Sequence, residues 1–229
     1  MRPIVKRLAA FVGLTAVLAL SACSADDGEP QDPAGTSATH AALDPAIGIT
    51  VDGDGAAVAP SDDAQVVVEV FSDFLCPFCK EFEAENSQAL LDLAGDDRFD
   101  VRWRPVAWLD RHSAGTEFST RSAALLLHVA QESPEHFWDA LEAIMQVQAD
   151  GPRLTDAELA DVAASVGVET DAVAAITDSD LRAQVLAFSN AASQLQVRHV
   201  PWIVIDGEQW DPSADGAGTL FDAAHAALG

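Results

Sequence analysis

The chain has 229 residues, 49% of them hydrophobic, so it can bury one large core or two small ones, and wholesale disorder is excluded. Its formal charge is −25; without residues 1–22 it carries 9 basic residues against 37 acidic ones, a net −28. Such a surface repels phosphate backbones and anionic lipid, which argues against nucleic acid as a partner and leaves any membrane attachment to something other than charge.

Arg2, Lys6 and Arg7 form a basic stretch ahead of an apolar run from Leu8 to Leu20, the pattern of a secretory signal. The run is shorter than the ~20 apolar residues of a membrane-spanning helix. The quartet Leu20-Ser21-Ala22-Cys23 that follows resembles the bacterial lipobox. That resemblance implies cleavage before Cys23 and diacylation of its sulfur, enough for stable anchoring; an ordinary secretory signal is the alternative. The expected organisation is therefore a signal peptide over 1–22, a lipidated Cys23 with a flexible tether over 23–60, and a folded domain over 61–229. Residues 24–45 are rich in small and polar residues and cannot offset their own ordering entropy. Ile47, Ile49 and Val51 alternate before Asp52-Gly53-Asp54-Gly55, which also reads as a small hairpin.

The β-branched run Val66-Val67-Val68-Glu69-Val70-Phe71 predicts a strand buried on both faces. From Lys80 to Leu93 the pattern is helical, with Phe82, Leu90 and Leu93 on an apolar stripe. Between them stand Cys76 and Cys79. A loop this short removes little unfolded-state entropy, so a stabilising disulfide is a weak reading. Half a zinc site needs a second ligand pair, and neither the one remaining cysteine, Cys23, nor the scattered histidines supply it. A redox pair has a positive mechanism. Pro77 suits the first position of the helix and makes Cys76 its N-cap, where unpaired amides and the helix dipole favour a thiolate. Cys79 falls one turn on, within reach, as the resolving thiol.

Downstream, a second strand is expected near 98–104 (Phe99, Val101, Trp103), followed by almost continuous helix over 113–196, broken notably at Ala149-Asp150-Gly151-Pro152. A strand at 202–206, a type I′ turn at Asp206-Gly207, an edge strand at Glu208–Trp210 and a closing helix from Gly216 to Leu228 complete the pattern.

The segment Phe71-Ser72-Asp73-Phe74-Leu75-Cys76-Pro77-Phe78-Cys79-Lys80 resembles the active-site segment of the DsbA-like branch of the thioredoxin superfamily, and Val200-Pro201 looks like its cis-proline loop. The resemblance covers about residues 64–228. It implies an α/β thioredoxin-like fold with a helical insertion, about 106–197, between the second strand and the cis-proline loop. It also implies thiol–disulfide exchange at Cys76 and Cys79, with Val200, Pro201, Pro77 and Phe78 against the substrate. Relatives keep a buried carboxylate beneath the disulfide, a role that falls here to Glu69, with Asp73 second; the alternative is that Glu69 faces solvent or pairs with a nearby arginine. Phe78 stands where the best-studied oxidising members carry histidine, and Trp202 where a smaller residue is usual; Val200 matches the oxidase-type members. His199 and Lys80 read as solvated neighbours of the pair, and Phe137, Trp138, Leu125, Leu126 and Val129 as core.

The resulting expectation is an extracytoplasmic oxidase of exported protein thiols, reoxidised by a quinone-linked membrane partner, with no metal or organic cofactor. Two alternatives stay open: a reductase or isomerase using the same pair, and a non-catalytic, peptide-binding lipoprotein.

Overall fold

A computed structural model of the chain describes residues 43–214, 216 and 218–229. The expected signal peptide, Cys23 and the tether as far as residue 42 lie outside the described residues. Six strands, β1 (Ile49–Val51), β2 (Ala57–Val58), β3 (Val66–Ser72), β4 (Phe99–Pro105), β5 (Trp202–Ile205) and β6 (Glu208–Trp210), form one sheet in the order β2-β1-β4-β3-β5-β6. β3 runs parallel to β4, and the other neighbours are antiparallel. The apolar run thus becomes a central strand, as a stretch without polar alternation should.

The parallel β3–β4 pair needs a crossover, which α1 (Pro77–Ala94) supplies. Cys79, Phe82, Leu90 and Leu93 of α1 enter the same core as Val66, Val68 and Val70 of β3. Phe71 points to the other face and packs with Val106, Ala192 and Val197.

The insertion between β4 and β5 holds α2 (Phe118–Glu132), α3 (Phe137–Gln146), α4 (Asp156–Ala164), α5 (Ala172–Thr177) and α6 (Ser179–Gln194), with short 3-10 turns at Trp108–His112, Pro134–His136 and Gly151–Arg153. α2 is its axis, with Leu125, Leu126, Leu127 and Val129 fully buried. Thr155 and Glu158 form a capping box that starts α4.

Two boundaries differ from expectation. The tether was expected to extend to residue 60, yet β1 pairs with β4 through Ile49–Trp103, Thr50–Arg102 and Val51–Val101, and is buried along its length. The Asp-Gly segment is the turn of that hairpin, where Asp52 Oδ1 accepts from the Ala56 amide at 2.9 Å. The closing helix, α7 (Leu220–Ala226), begins later than Gly216 because Thr219 caps it, its hydroxyl accepting from the Asp222 amide at 3.1 Å. At the β5–β6 turn Asp206 and Gly207 have φ of 48° and 83°, both positive as a type I′ turn requires. No helix among the described residues is long and apolar enough to cross a membrane.

The break between α3 and α4 is a packing requirement as well as a turn. A Cβ on buried Gly151 would stand 2.3 Å from Cζ of Phe118, the first residue of α2. Gly151→Ala should therefore destabilise the fold by about 1–3 kcal/mol, measured as a lowered urea midpoint at unchanged slope.

Candidate active site

β3 ends where Ser72 accepts from the Val106 amide at 2.9 Å, and the chain turns through Asp73, whose carbonyl accepts from the Cys76 amide at 3.0 Å. Cys76 has extended dihedrals and is the N-cap of α1, with Pro77 opening the helix. Its carbonyl accepts from the amides of Cys79 at 3.1 Å and Lys80 at 3.2 Å, which fixes both cysteines on one rigid turn. Both are free thiols and largely buried. The Val200–Pro201 peptide is cis, and the Val200 carbonyl lies 3.4 Å from Cys76 Sγ, close enough to accept from it as a thiol. The turn after β3 and the loop before β5 meet because these strands are neighbours, Phe71 opposite Trp202.

The two sulfurs are electrostatically unlike. The thiol of Cys76 is lowered to about 7, first by the hydrogen bond from Cys79, with the Cys79 and Phe78 amides adding to it against the cost of desolvation. Burial is what pushes Cys79 well above the usual thiol range. The Asp73 amide donates to Cys79 Sγ at 3.5 Å.

Cys76 opens on a groove of about 520 Å³ lined by Pro77, Phe78, Trp108, Arg111, Arg198 and Val200, among others. A second groove of about 500 Å³ shares Phe78, His199 and Val200 and continues past Pro201 to Asp211. Phe78 stands 67% exposed between them.

A family model described as thioredoxin matches residues 57–222. The chain belongs to the thioredoxin family. Its fold is also that of DsbA from Mycobacterium tuberculosis, which superposes with a TM-score of 0.60 at 23% identity, over 78% of this chain and 98% of that one. MdbA of Corynebacterium diphtheriae, a thiol-disulfide oxidoreductase, superposes with a TM-score of 0.61 at 26% identity, over 78% of this chain and 94% of that one. In sequence, the chain is 30% identical over 149 residues to the serine/threonine-protein kinase PknE of Mycobacterium tuberculosis, covering 62% of this chain but only 25% of the kinase. It is also 33% identical over 98 residues to disulfide bond formation protein D of Bacillus subtilis, 42% of this chain and 41% of that protein.

Of the residues expected at the site, Cys76, Cys79, Pro77, Phe78, Val200 and Pro201 lie together. Glu69 does not join them. Alternation along β3 sends it to the face of Phe71, away from α1, where it forms an ion pair with Arg104. The carboxylate beside the pair is Asp73, fully buried, with Oδ1 accepting from the Leu75 amide at 2.9 Å and the Ser119 hydroxyl at 2.6 Å, and Oδ2 from the Leu109 amide at 2.9 Å. Burial raises its pKa despite those bonds. Lys80 reaches across to the Gln146 carbonyl at 3.1 Å, and His199 is exposed, with its ring against Trp202.

Two polar residues at the site escaped the sequence reading. Gln148, between α3 and α4, donates from Nε2 to the carbonyls of Phe74 at 2.7 Å and Cys76 at 2.8 Å. Glu83, one turn beyond Cys79, is buried; it accepts from Trp103 Nε1 at 3.2 Å, while its second oxygen has no partner. Burial raises its carboxyl to about 7. A carboxylate on the apolar stripe four residues after Cys79 was the available signal.

The rate of iodoacetamide alkylation of Cys76 should rise through a midpoint near pH 7. Cys79→Ala removes the donor and should move that midpoint upward. Because Glu83 titrates near 7 in the fold against 4.5 ordinarily, the native state holds the proton longer, and stability falls as pH rises through that window. Glu83→Gln should lose this dependence, gaining about 3 kcal/mol on the parent between pH 4.5 and 8 in urea titrations.

Proposed function

We propose that this protein is an extracytoplasmic thiol–disulfide oxidoreductase that oxidises cysteine pairs of exported proteins, held at the membrane through lipid on Cys23. The observation that carries the reading is the inequality of the two sulfurs at the start of α1, a low-pKa Cys76 facing the groove and a buried, high-pKa Cys79 behind it. The likeness to MdbA and to disulfide bond formation protein D supports it.

In the oxidised enzyme, a substrate thiolate attacks Sγ of Cys76. The Cys76–Cys79 bond breaks, and Cys79 leaves with the bonding electron pair and takes up a proton. A second substrate thiolate then attacks the substrate sulfur of the mixed disulfide and expels Cys76, whose lowered pKa makes it the better leaving group. Two electrons have passed to the enzyme, and a membrane quinone-linked partner would remove them. Val200 and Pro201 present backbone to an extended substrate segment. Stabilising the thiolate stabilises the reduced enzyme, which makes its disulfide more oxidising.

Phe78 favours a second reading, a reductase or isomerase running the same exchange in reverse, because a phenyl ring cannot stabilise the thiolate as histidinium would. The equilibrium potential of the pair against glutathione separates them. A value toward about −120 mV marks an oxidant and one near about −270 mV a reductant. Cys76→Ser/Cys79→Ser should abolish oxidation of a dithiol peptide; retained biological function in that variant would leave only peptide binding.

A further inference from the structure

The distribution of cations over the molecule is uneven in a way that the exchange chemistry does not require. The described residues include nine lysines and arginines. Six are committed to ion pairs: Arg98, Arg102, Arg104, Arg121, Arg153 and Arg182. The other three, Lys80, Arg111 and Arg198, make no ion pair among the described residues, and all three lie around the cysteines. Lys80 follows Cys79 directly, while Arg111 and Arg198 line the groove onto which Cys76 opens.

Both arginines are exposed and differently held. Arg111 is positioned by its own turn, donating from Nη1 to the Trp108 carbonyl at 3.0 Å and from Nε to His112 at 3.0 Å, which leaves Nη2 free for a ligand. Arg198 rises from the other wall, two residues before Val200. No aspartate or glutamate lines this half of the groove, whereas the half beyond Pro201 is bounded by Asp211. In a chain with a large excess of acidic residues, the lysines and arginines outside ion pairs among the described residues gather at the approach to Cys76.

We infer that this half of the groove selects cysteine-bearing segments that carry aspartate or glutamate beside the reacting cysteine, with Arg111 and Arg198 receiving the carboxylates. The inference rests on the proposed exchange at Cys76. Guanidinium groups suit the task, since their fork of donors matches a carboxylate. The pairs are exposed, so they act mainly on encounter and orientation and are weakened by salt.

The test uses the full chain, oxidised at Cys76–Cys79, and three dithiol peptides of one length whose cysteine is flanked by aspartate, asparagine or lysine. The aspartate peptide should be oxidised about tenfold faster per unit concentration than the lysine peptide at low ionic strength, two exposed ion pairs being at stake. The ratio should shrink toward one in about 0.5 M salt. Arg111→Gln/Arg198→Gln should lose the ratio at low salt, and Arg111→Lys/Arg198→Lys should largely retain it. Equal rates for the three peptides, or an equal slowing of all three in the glutamine variant, would overturn substrate selection while leaving the exchange reading intact. If no peptide were oxidised, the exchange reading itself would fall.

Discussion

The site depends on one buried carboxylate. Asp73 sits where β3 hands over to α1, and its two oxygens gather a donor from its own turn, one from the 3-10 segment after β4 and one from the first turn of α2. An uncompensated charge at such depth would be very costly. Three donors within 3 Å offset that cost, and in doing so they lock the sheet, the redox helix and the insertion to one another. Gln148 completes the attachment from the far end of α3 by holding two carbonyls of the same turn. The insertion is thus the scaffold that keeps the cysteine turn in place as well as a cap over the core.

Given that fixed turn, the two sulfurs are set apart by hydrogen bonding and by depth. Cys76 and Cys79 share one helical turn and one backbone hydrogen bond, but Cys76 receives the hydrogen bond from its partner and Cys79 is pushed up by burial. The N-cap sulfur lies at the mouth of a groove and collects donors; the sulfur behind it is walled by the core of β3 and α1. A thiol pair of this kind is polarised by its own hydrogen bonds and by burial. In the proposed exchange, that polarity sets which sulfur is attacked and which leaves.

How far all this could be read from residues alone depends on what each inference needed. Val66–Phe71, the Cys-Pro-Phe-Cys segment and the Asp206-Gly207 turn are local signals, and each landed within a residue or two of its place. Side-chain direction was another matter. Glu69 and Asp73 are both acidic, both near the cysteines in sequence, and only the pleat of β3 and the turn after it decide that the carboxylate of one meets Arg104 and that of the other is felt by Cys76. Gln148 could not be found at all, because its partners lie more than seventy residues away and glutamine in a helix–helix connection carries no signature. The hairpin at 49–58 was legible as alternation, but its claim on β4 was not, since strand pairing across that distance leaves no local trace.

Trp103 leads from the core to the site in another sense. Its indole packs 5.4 Å from Phe74 in the cysteine turn and 6.3 Å from Phe137 at the start of α3, and it donates to Glu83. An indole held that rigidly beside a carboxyl that titrates near neutrality experiences a changing electric field whenever the proton comes or goes. Trp103 is thereby placed to sense, through its own hydrogen bond, the ionisation of a carboxyl in the interior.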